Sequence, residues 1–142
     1  MARPRYLLDT KIVSDLVRHP AGRIRDGIAE CGESSVCISL IVTAELRFGA
    51  AKKGSARLTK QLEAVLGALA ILPFDEPADQ KYAEIRARLE RTGTPIGGND
   101  LLIAAHAIAH ELVVVTGNEA EFCRVPGLTV ENWLAPIHQD PN

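Results

Sequence analysis

Asp100-Leu101-Leu102-Ile103-Ala104-Ala105-His106-Ala107-Ile108-Ala109-His110-Glu111-Leu112-Val113-Val114-Val115-Thr116-Gly117-Asn118 is the stretch on which the fold turns. Its first half is apolar almost all round, the pattern of a central helix enclosed by protein. Leu112 to Val115 follows, β-branched and without alternation, which marks a strand buried on both faces of a sheet. Thr116-Gly117-Asn118 then supplies the turn residues that stop it. A central helix feeding a doubly buried strand points to an α/β protein with a parallel sheet.

Working outward, Thr92-Gly93-Thr94-Pro95 and the permissive loop Ile96-Gly97-Gly98-Asn99 separate this helix from a charged amphipathic one over 79–91. That helix keeps Tyr82, Ile85 and Leu89 on one face. Ala70 to Phe74 reads as a short strand closed by proline, after a helix from about Ser55 to Leu69. Between Ser39 and Lys53, Leu40, Ile41, Ala44, Leu46 and Phe48 fit no single strand face, so a largely buried helix is expected. Ser35 to Ile38 is a second strand, preceded by an amphipathic helix over 22–31. Tyr6-Leu7-Leu8 opens the sheet and stops at Asp9-Thr10, a polar pair suited to cap a helix from about Ile12 to Arg18. Leu128 to Glu131 is a last strand, and 136–142 reads as a frayed tail. The expected architecture is one α/β sandwich over 1–142, with a mostly parallel central sheet flanked by helices.

The chain has 142 residues, enough to bury its own core. With 46% hydrophobic and 24% charged residues, it falls outside the composition of disordered chains. The aromatic share of 4% speaks against a stacking platform for single-stranded nucleic acid. A net charge of −2 gives no global attraction for phosphate, so nucleic-acid chemistry would need a local basic patch or a metal ion. Cys31, Cys37 and Cys123 form no CxxC pair and are expected as free thiols in a reducing compartment. The short apolar run before Asp9 matches neither a signal peptide nor a membrane span, which predicts a cytoplasmic protein.

In an open parallel sheet, sites form beyond the carboxyl ends of the strands. Asp9 ends the first strand and Thr116-Gly117-Asn118 the fourth, so both loops are expected on one edge. Asp100 begins the central helix, where free N–H groups favour a carboxylate; its plainer role is a first-turn stabiliser. Glu45 has Ile41, Val42, Phe48 and Gly49 at helical spacing, so its carboxylate projects from an apolar face. An unpartnered buried charge costs several kcal/mol. Compensation would come from a metal ion, or from Arg47, Lys52 or another chain. Three carboxylates from separate segments are hard donors of the kind Mg²⁺ or Mn²⁺ prefers. Their spacing alone carries no local signature.

Four segments together resemble the VapC toxins, PIN-domain ribonucleases of type II toxin–antitoxin pairs. They are Tyr6-Leu7-Leu8-Asp9-Thr10, Thr43-Ala44-Glu45-Leu46-Arg47-Phe48-Gly49, the run from Gly93 to Ala107, and Val115-Thr116-Gly117-Asn118-Glu119-Ala120-Glu121-Phe122. The resemblance implies a PIN-like three-layer sandwich and a metal-dependent endoribonuclease that cuts structured RNA, often tRNA. It also implies a homodimer, and a hetero-oligomer with a VapB-like antitoxin whose tail lies across the acidic pocket. Asp9, Glu45 and Asp100 match the family's acids and would hold Mg²⁺ or Mn²⁺. Thr10 and Thr116 would orient ligands or water, and Asn99 would brace the loop before Asp100. Arg47, Lys52, Lys53 and Arg57 are candidate RNA contacts, although a solvated helix end is the commoner role of such a run.

Two positions depart from the family's pattern. Lys11 stands where the family often has Asn, and Gly117 where it often has Asp or Asn. A lysine two residues from Asp9 places an ammonium near the metal position and lowers cation affinity. Asn118 or Glu121 could supply the polar group that Gly117 lacks. The departures predict retained fold and partner binding with reduced nuclease activity; the alternative is an antitoxin-binding PIN protein without significant activity. Two rivals have weaker support. His106 and His110 stand four apart as zinc ligands can, but Ala107 replaces the glutamate of HExxH and no third ligand is evident. A haloacid-dehalogenase-like phosphoacceptor needs a second acid where Lys11 stands.

Overall fold

The computed structural model describes residues 3–134. Five short strands, β1 (Tyr6–Leu8), β2 (Val36–Ser39), β3 (Ala70–Leu72), β4 (Val113–Val115) and β5 (Val130–Glu131), pair in the order β3-β2-β1-β4-β5. Every pairing is parallel. The helices are α1 (Thr10–Arg18), α2 (Arg23–Cys31), α3 (Leu40–Lys53), α4 (Ala56–Ala68), α5 (Ala78–Arg91), α6 (Gly98–His110) and α7 (Glu119–Phe122). Successive strand residues point to opposite faces, and Leu7 and Leu8 are both fully buried, as are Val36, Cys37 and Ile38. The sheet is therefore covered on both sides, and the three-layer sandwich is as expected.

Local chemistry sets the helix ends. Asp9 caps α1, its Oδ1 accepting the Ile12 N–H at 2.9 Å. Ser39 and Ser55 start α3 and α4 in the same way, accepting from the Ile41 and Leu58 N–H groups at 3.2 Å each. Gly54 ends α3 in the left-handed region, at φ 65, where a side chain would be strained. At Gly27 on α2 the need is space instead. A Cβ there would lie 2.6 Å from Cε3 of Trp133, whose ring also packs on Tyr6 with centroids 5.4 Å apart.

The path of the chain places the site. From β1 it grows outward through β2 to β3, then α5 and α6 carry it back to the other side of β1 for β4 and β5. The order reverses between β1 and β4, the switch point at which such sheets leave a crevice. The register Leu8↔Val115 sets Asp9 beside Thr116 there, with the Asp9 N–H donating to the Val115 carbonyl at 3.0 Å.

Two expectations need correction. Helix α3 is not largely buried: Leu40 is 50% and Phe48 68% exposed, Ala44 is exposed, and the enclosed residues are Val42, Thr43 and Ala50. An apolar pattern specifies what a helix can bury, whereas α1, α4 and α6 cover only part of its circumference. Helix α7 has no counterpart in the sequence pattern, since a single turn is too short to show a period. The cysteines are free as expected, and burial pushes the Cys37 thiol up to about 12. Among the described residues no helix is long and apolar enough to cross a membrane. The expected frayed tail lies outside the described residues.

Candidate active site

Asp9 enters the crevice from the end of β1 and is 4% exposed. Burial raises its pKa, while the Thr116 hydroxyl, the Ile12 N–H and the Lys11 ammonium pull against that rise. Thr116, fully buried at the end of β4, also accepts the Asn118 N–H at 2.9 Å, which fixes the turn after the strand. Glu45 arrives from the second turn of α3. Burial raises its pKa and the Asp9 charge adds to the rise, while Thr10 and Asn99 offset part of it. Neither closes a hydrogen bond on Glu45 Oε1. That oxygen and Thr10 Oγ1 are both buried without a partner among the described residues.

Asp100, in the first turn of α6, is pushed up to about 7. Its own burial is the largest cause, followed by Glu121 and the charges of Asp9 and Glu45. Glu121, on α7, moves the other way because the Gly97 N–H donates to its Oε1 at 2.5 Å. Its Oε2 accepts from Asn118 Nδ2, also at 2.5 Å. Within the pair, Asp100 is therefore the acid more readily protonated. Four carboxylates from β1, α3, α6 and α7 meet at one sheet edge, each felt electrostatically by another. Glu121, expected only as a polar group in place of the one Gly117 lacks, stands against Asp100 as a fourth acid.

The other expected residues fall around this cluster. Lys11 is exposed on α1 but close enough for its charge to act on Asp9. Gly117 is exposed, and a Cβ there would meet Leu134 Cδ1 at an ordinary 3.6 Å, so its lack of a side chain is not imposed by crowding. Arg47 does not serve Glu45. It pairs with Glu63 on α4 through two hydrogen bonds of 2.9 and 3.1 Å, since its position on α3 directs it to that helix. Lys52, Lys53 and Arg57 are exposed at the α3–α4 junction. His106 and His110 lie apart from the acids: His106 Nδ1 is 2.9 Å from Ser39 Oγ, and His110 Nε2 is 3.0 Å from Asp75 Oδ1.

The acids match a hard divalent cation in donor type, and the unpartnered Glu45 oxygen is a buried group that such an ion would satisfy. Among the described residues no three His, Cys, Asp or Glu side chains are already drawn together in ligating geometry.

Residues 6–128 match the family model described as PIN domain. The chain belongs to the PIN-domain family. This PIN domain is 40% identical over 130 residues to ribonuclease VapC2 of Rickettsia felis, covering 90% of this chain and 97% of that protein. It is 37% identical to the tRNA(fMet)-specific endonuclease VapC of Salmonella typhimurium, covering 91% and 98%. Among solved structures, DNA-bound VapBC from Salmonella typhimurium contains a chain that superposes with a TM-score of 0.82 at 38% identity, covering 92% of this PIN domain and 98% of that chain.

Proposed function

We propose that this PIN domain is the toxin of a VapBC-type toxin–antitoxin pair, and that it is an endoribonuclease cutting structured RNA, tRNA included, with Mg²⁺ or Mn²⁺. The carrying observation is the acid cluster at the switch point: a carboxylate oxygen of Glu45 lies buried without a partner among the described residues, and burial beside Glu121, Asp9 and Glu45 raises the pKa of Asp100. Protein groups compensate that cluster only in part, and relatives matched over nearly their whole length are named ribonucleases and a tRNA endonuclease.

Asp9, Glu45 and Asp100 would hold the cation, which supplies an activated water and charge neutralisation at phosphorus. Thr116 orients the Asp9 carboxylate from one side, and the Ile12 N–H fixes it from the other. Glu121 takes the proton-sharing role beside Asp100, and Asn118 holds Glu121 in place. Thr10 and Asn99 flank Glu45, where their polar groups steady its charged form. Lys52 lies seven residues after Glu45 on α3, hence on the same side and about 10 Å along the helix. With Lys53 and Arg57 it can guide phosphates toward the acids. A VapB-like antitoxin in a hetero-oligomer, a homodimer of the toxin and a cytoplasmic location complete the proposal. The structural relatives supporting it are VapBC assemblies.

The Lys11 charge acting on Asp9 favours a second reading, in which cation affinity and turnover are lowered and the chain serves mainly to bind antitoxin. An RNA-cleavage assay with Mg²⁺ or Mn²⁺ and a chelator control tests both. The enzyme reading expects chelator-sensitive cuts that Asp100→Asn abolishes. Cleavage that persists in chelator or in Asp100→Asn would refute it, and no cleavage beside intact antitoxin binding would establish the second reading.

A further inference from the structure

A pocket of about 230 Å³ opens between α5, the loop over 92–97 and the start of α6. It is smaller than the ~300–1,000 Å³ of sites for drug-sized ligands, so it suits one ring system. Leu89, Ile96 and Leu101 make the apolar part of its wall, and Tyr82 and Arg86 a flat polar part. Arg86 is held there on both sides. Its Nε donates to Glu90 Oε1 at 3.1 Å and its Nη1 to Tyr82 Oη at 2.9 Å, with the guanidinium 5.9 Å from the Tyr82 ring centroid.

We infer that this pocket takes a single unstacked nucleobase of the RNA, next to the phosphate that lies at the acid cluster. The inference rests on the nuclease reading above and names a base-selecting subsite for it. Three observations carry it. The first is contiguity: Gly97 donates its N–H to Glu121, and the next residue, Gly98, lines the pocket. Asp100 and Leu101 are likewise adjacent, about 100° apart around α6, which puts pocket and acids on neighbouring faces of one helix end, within roughly a 10 Å helix diameter. The second is rigidity: Arg124 Nη1 donates to the Pro95 carbonyl at 3.0 Å, so the loop between the two sites is tied down from the α7 side. The third is chemistry. Specific RNA recognition splays bases out of the stack onto aromatic rings and arginine planes, and reads their edges by hydrogen bonds. Tyr82 and Arg86 provide those planes, and the Tyr82 hydroxyl and Glu90 carboxylate provide groups for an edge.

The scarcity of aromatic residues gives Tyr82 added weight. Phe122 is fully buried, Tyr6 and Trp133 pack on each other, Phe74 lies against His106, and Phe48 stands on α3. Tyr82 is the ring that borders the pocket.

The test uses the full chain, with the probes adenosine, guanosine, cytidine and uridine, which carry no phosphate for the acids to repel. In metal-free protein, at least one nucleoside shifts the methyl resonances of Leu89, Ile96 and Leu101. Tyr82→Leu keeps apolar packing but loses the stacking face, and weakens that binding by about 5- to 150-fold; Tyr82→Phe retains it. In RNA-cleavage profiling, Tyr82→Leu and Arg86→Gln flatten the base preference beside the cut while cleavage continues. Thermal unfolding of each variant separates this effect from loss of fold. Methyls that no nucleoside shifts, equal binding in Tyr82→Leu, or an unchanged cut-site profile would each overturn the inference and leave the nuclease reading standing. Nucleoside binding in a protein that cuts no RNA would sink the nuclease reading and uphold the pocket. Loss of antitoxin binding in Tyr82→Leu with the RNA profile unchanged would assign the face to a protein partner and overturn the inference.

Discussion

His106 is fully buried beside Ser39, Phe74 and His110, and its Nε2 has no hydrogen-bond partner among the described residues. Burial lowers its pKa from 6.5 to about 4; the nearby His110 acts in the same direction and Asp75 opposes. In the unfolded chain the imidazole takes up a proton below about pH 6.5, whereas in the fold it does so only near 4. Across that window the unfolded state binds more protons, so stability falls as pH falls. A difference of about 2.5 units, at 1.36 kcal/mol per unit, amounts to roughly 3 kcal/mol in full, of which about 2.4 is expressed between pH 7 and pH 4.5. That is a large part of a domain's ~5–15 kcal/mol. His106→Leu removes the titration and a neutral hydrogen bond together. Urea unfolding of both proteins at pH 7 and pH 4.5 isolates the histidine, because the carboxylates titrate alike in each. The wild type is expected to lose about 2 kcal/mol more than the variant on acidification, near 1 M in urea midpoint at a slope of ~2 kcal/mol/M. Equal losses in the two proteins would refute the account of His106 as a neutral buried base.

Other outcomes follow from the site and the core. Asp9→Asn keeps an N-cap acceptor and should abolish RNA cleavage with little change in unfolding midpoint, whereas Asp9→Ala should cost about 1 kcal/mol as well; activity assays paired with thermal melts distinguish them. On the proposed function Mn²⁺ would displace a proton from Asp100, so calorimetric affinity should rise about tenfold from pH 6 to pH 8, with proton release visible as a dependence on buffer. Lys11→Asn should raise Mn²⁺ affinity two- to fivefold, the scale of an exposed charge contact, and Gly117→Asp should fold normally, given its 3.6 Å clearance; titration and circular dichroism check these. Gly27→Ala gains up to ~1 kcal/mol of helix propensity but drives a methyl to 2.6 Å from Trp133, and should lose about 1–2 kcal/mol net in denaturant unfolding.

Much of this was legible in the chain because the signals are local. Leu7-Leu8 and Val113–Val115 are continuous apolar runs, and a doubly covered strand leaves that mark on sequence. Asp9 and Thr116 could be placed on one edge because both end parallel strands. Glu45 stood out as a charge among apolar neighbours, and the structure leaves its oxygen buried and unpartnered. What escaped depends on which elements meet. Glu121 could be named as a candidate polar group, but its pairing with Asp100 was not legible, because the Gly97 N–H and Asn118 steer its carboxylate there across a sequence gap with no period. The exposure of Phe48 reflects what fails to cover α3. The pocket at Tyr82 exists because α5 packs along α6 with the 92–97 loop wedged at one end.

The return of the chain across the sheet also orders events in time. Asp9 is made more than a hundred residues before Thr116, which bonds to it, and before Glu121, which pairs with Asp100. No nascent chain can possess the four-acid cluster until α7 has left the ribosome and β4 has inserted beside β1. At ~5–20 residues per second, that leaves several seconds in which the polypeptide exists without the assembled cluster. A shortened product lacking α7 is expected to be inert for the same reason.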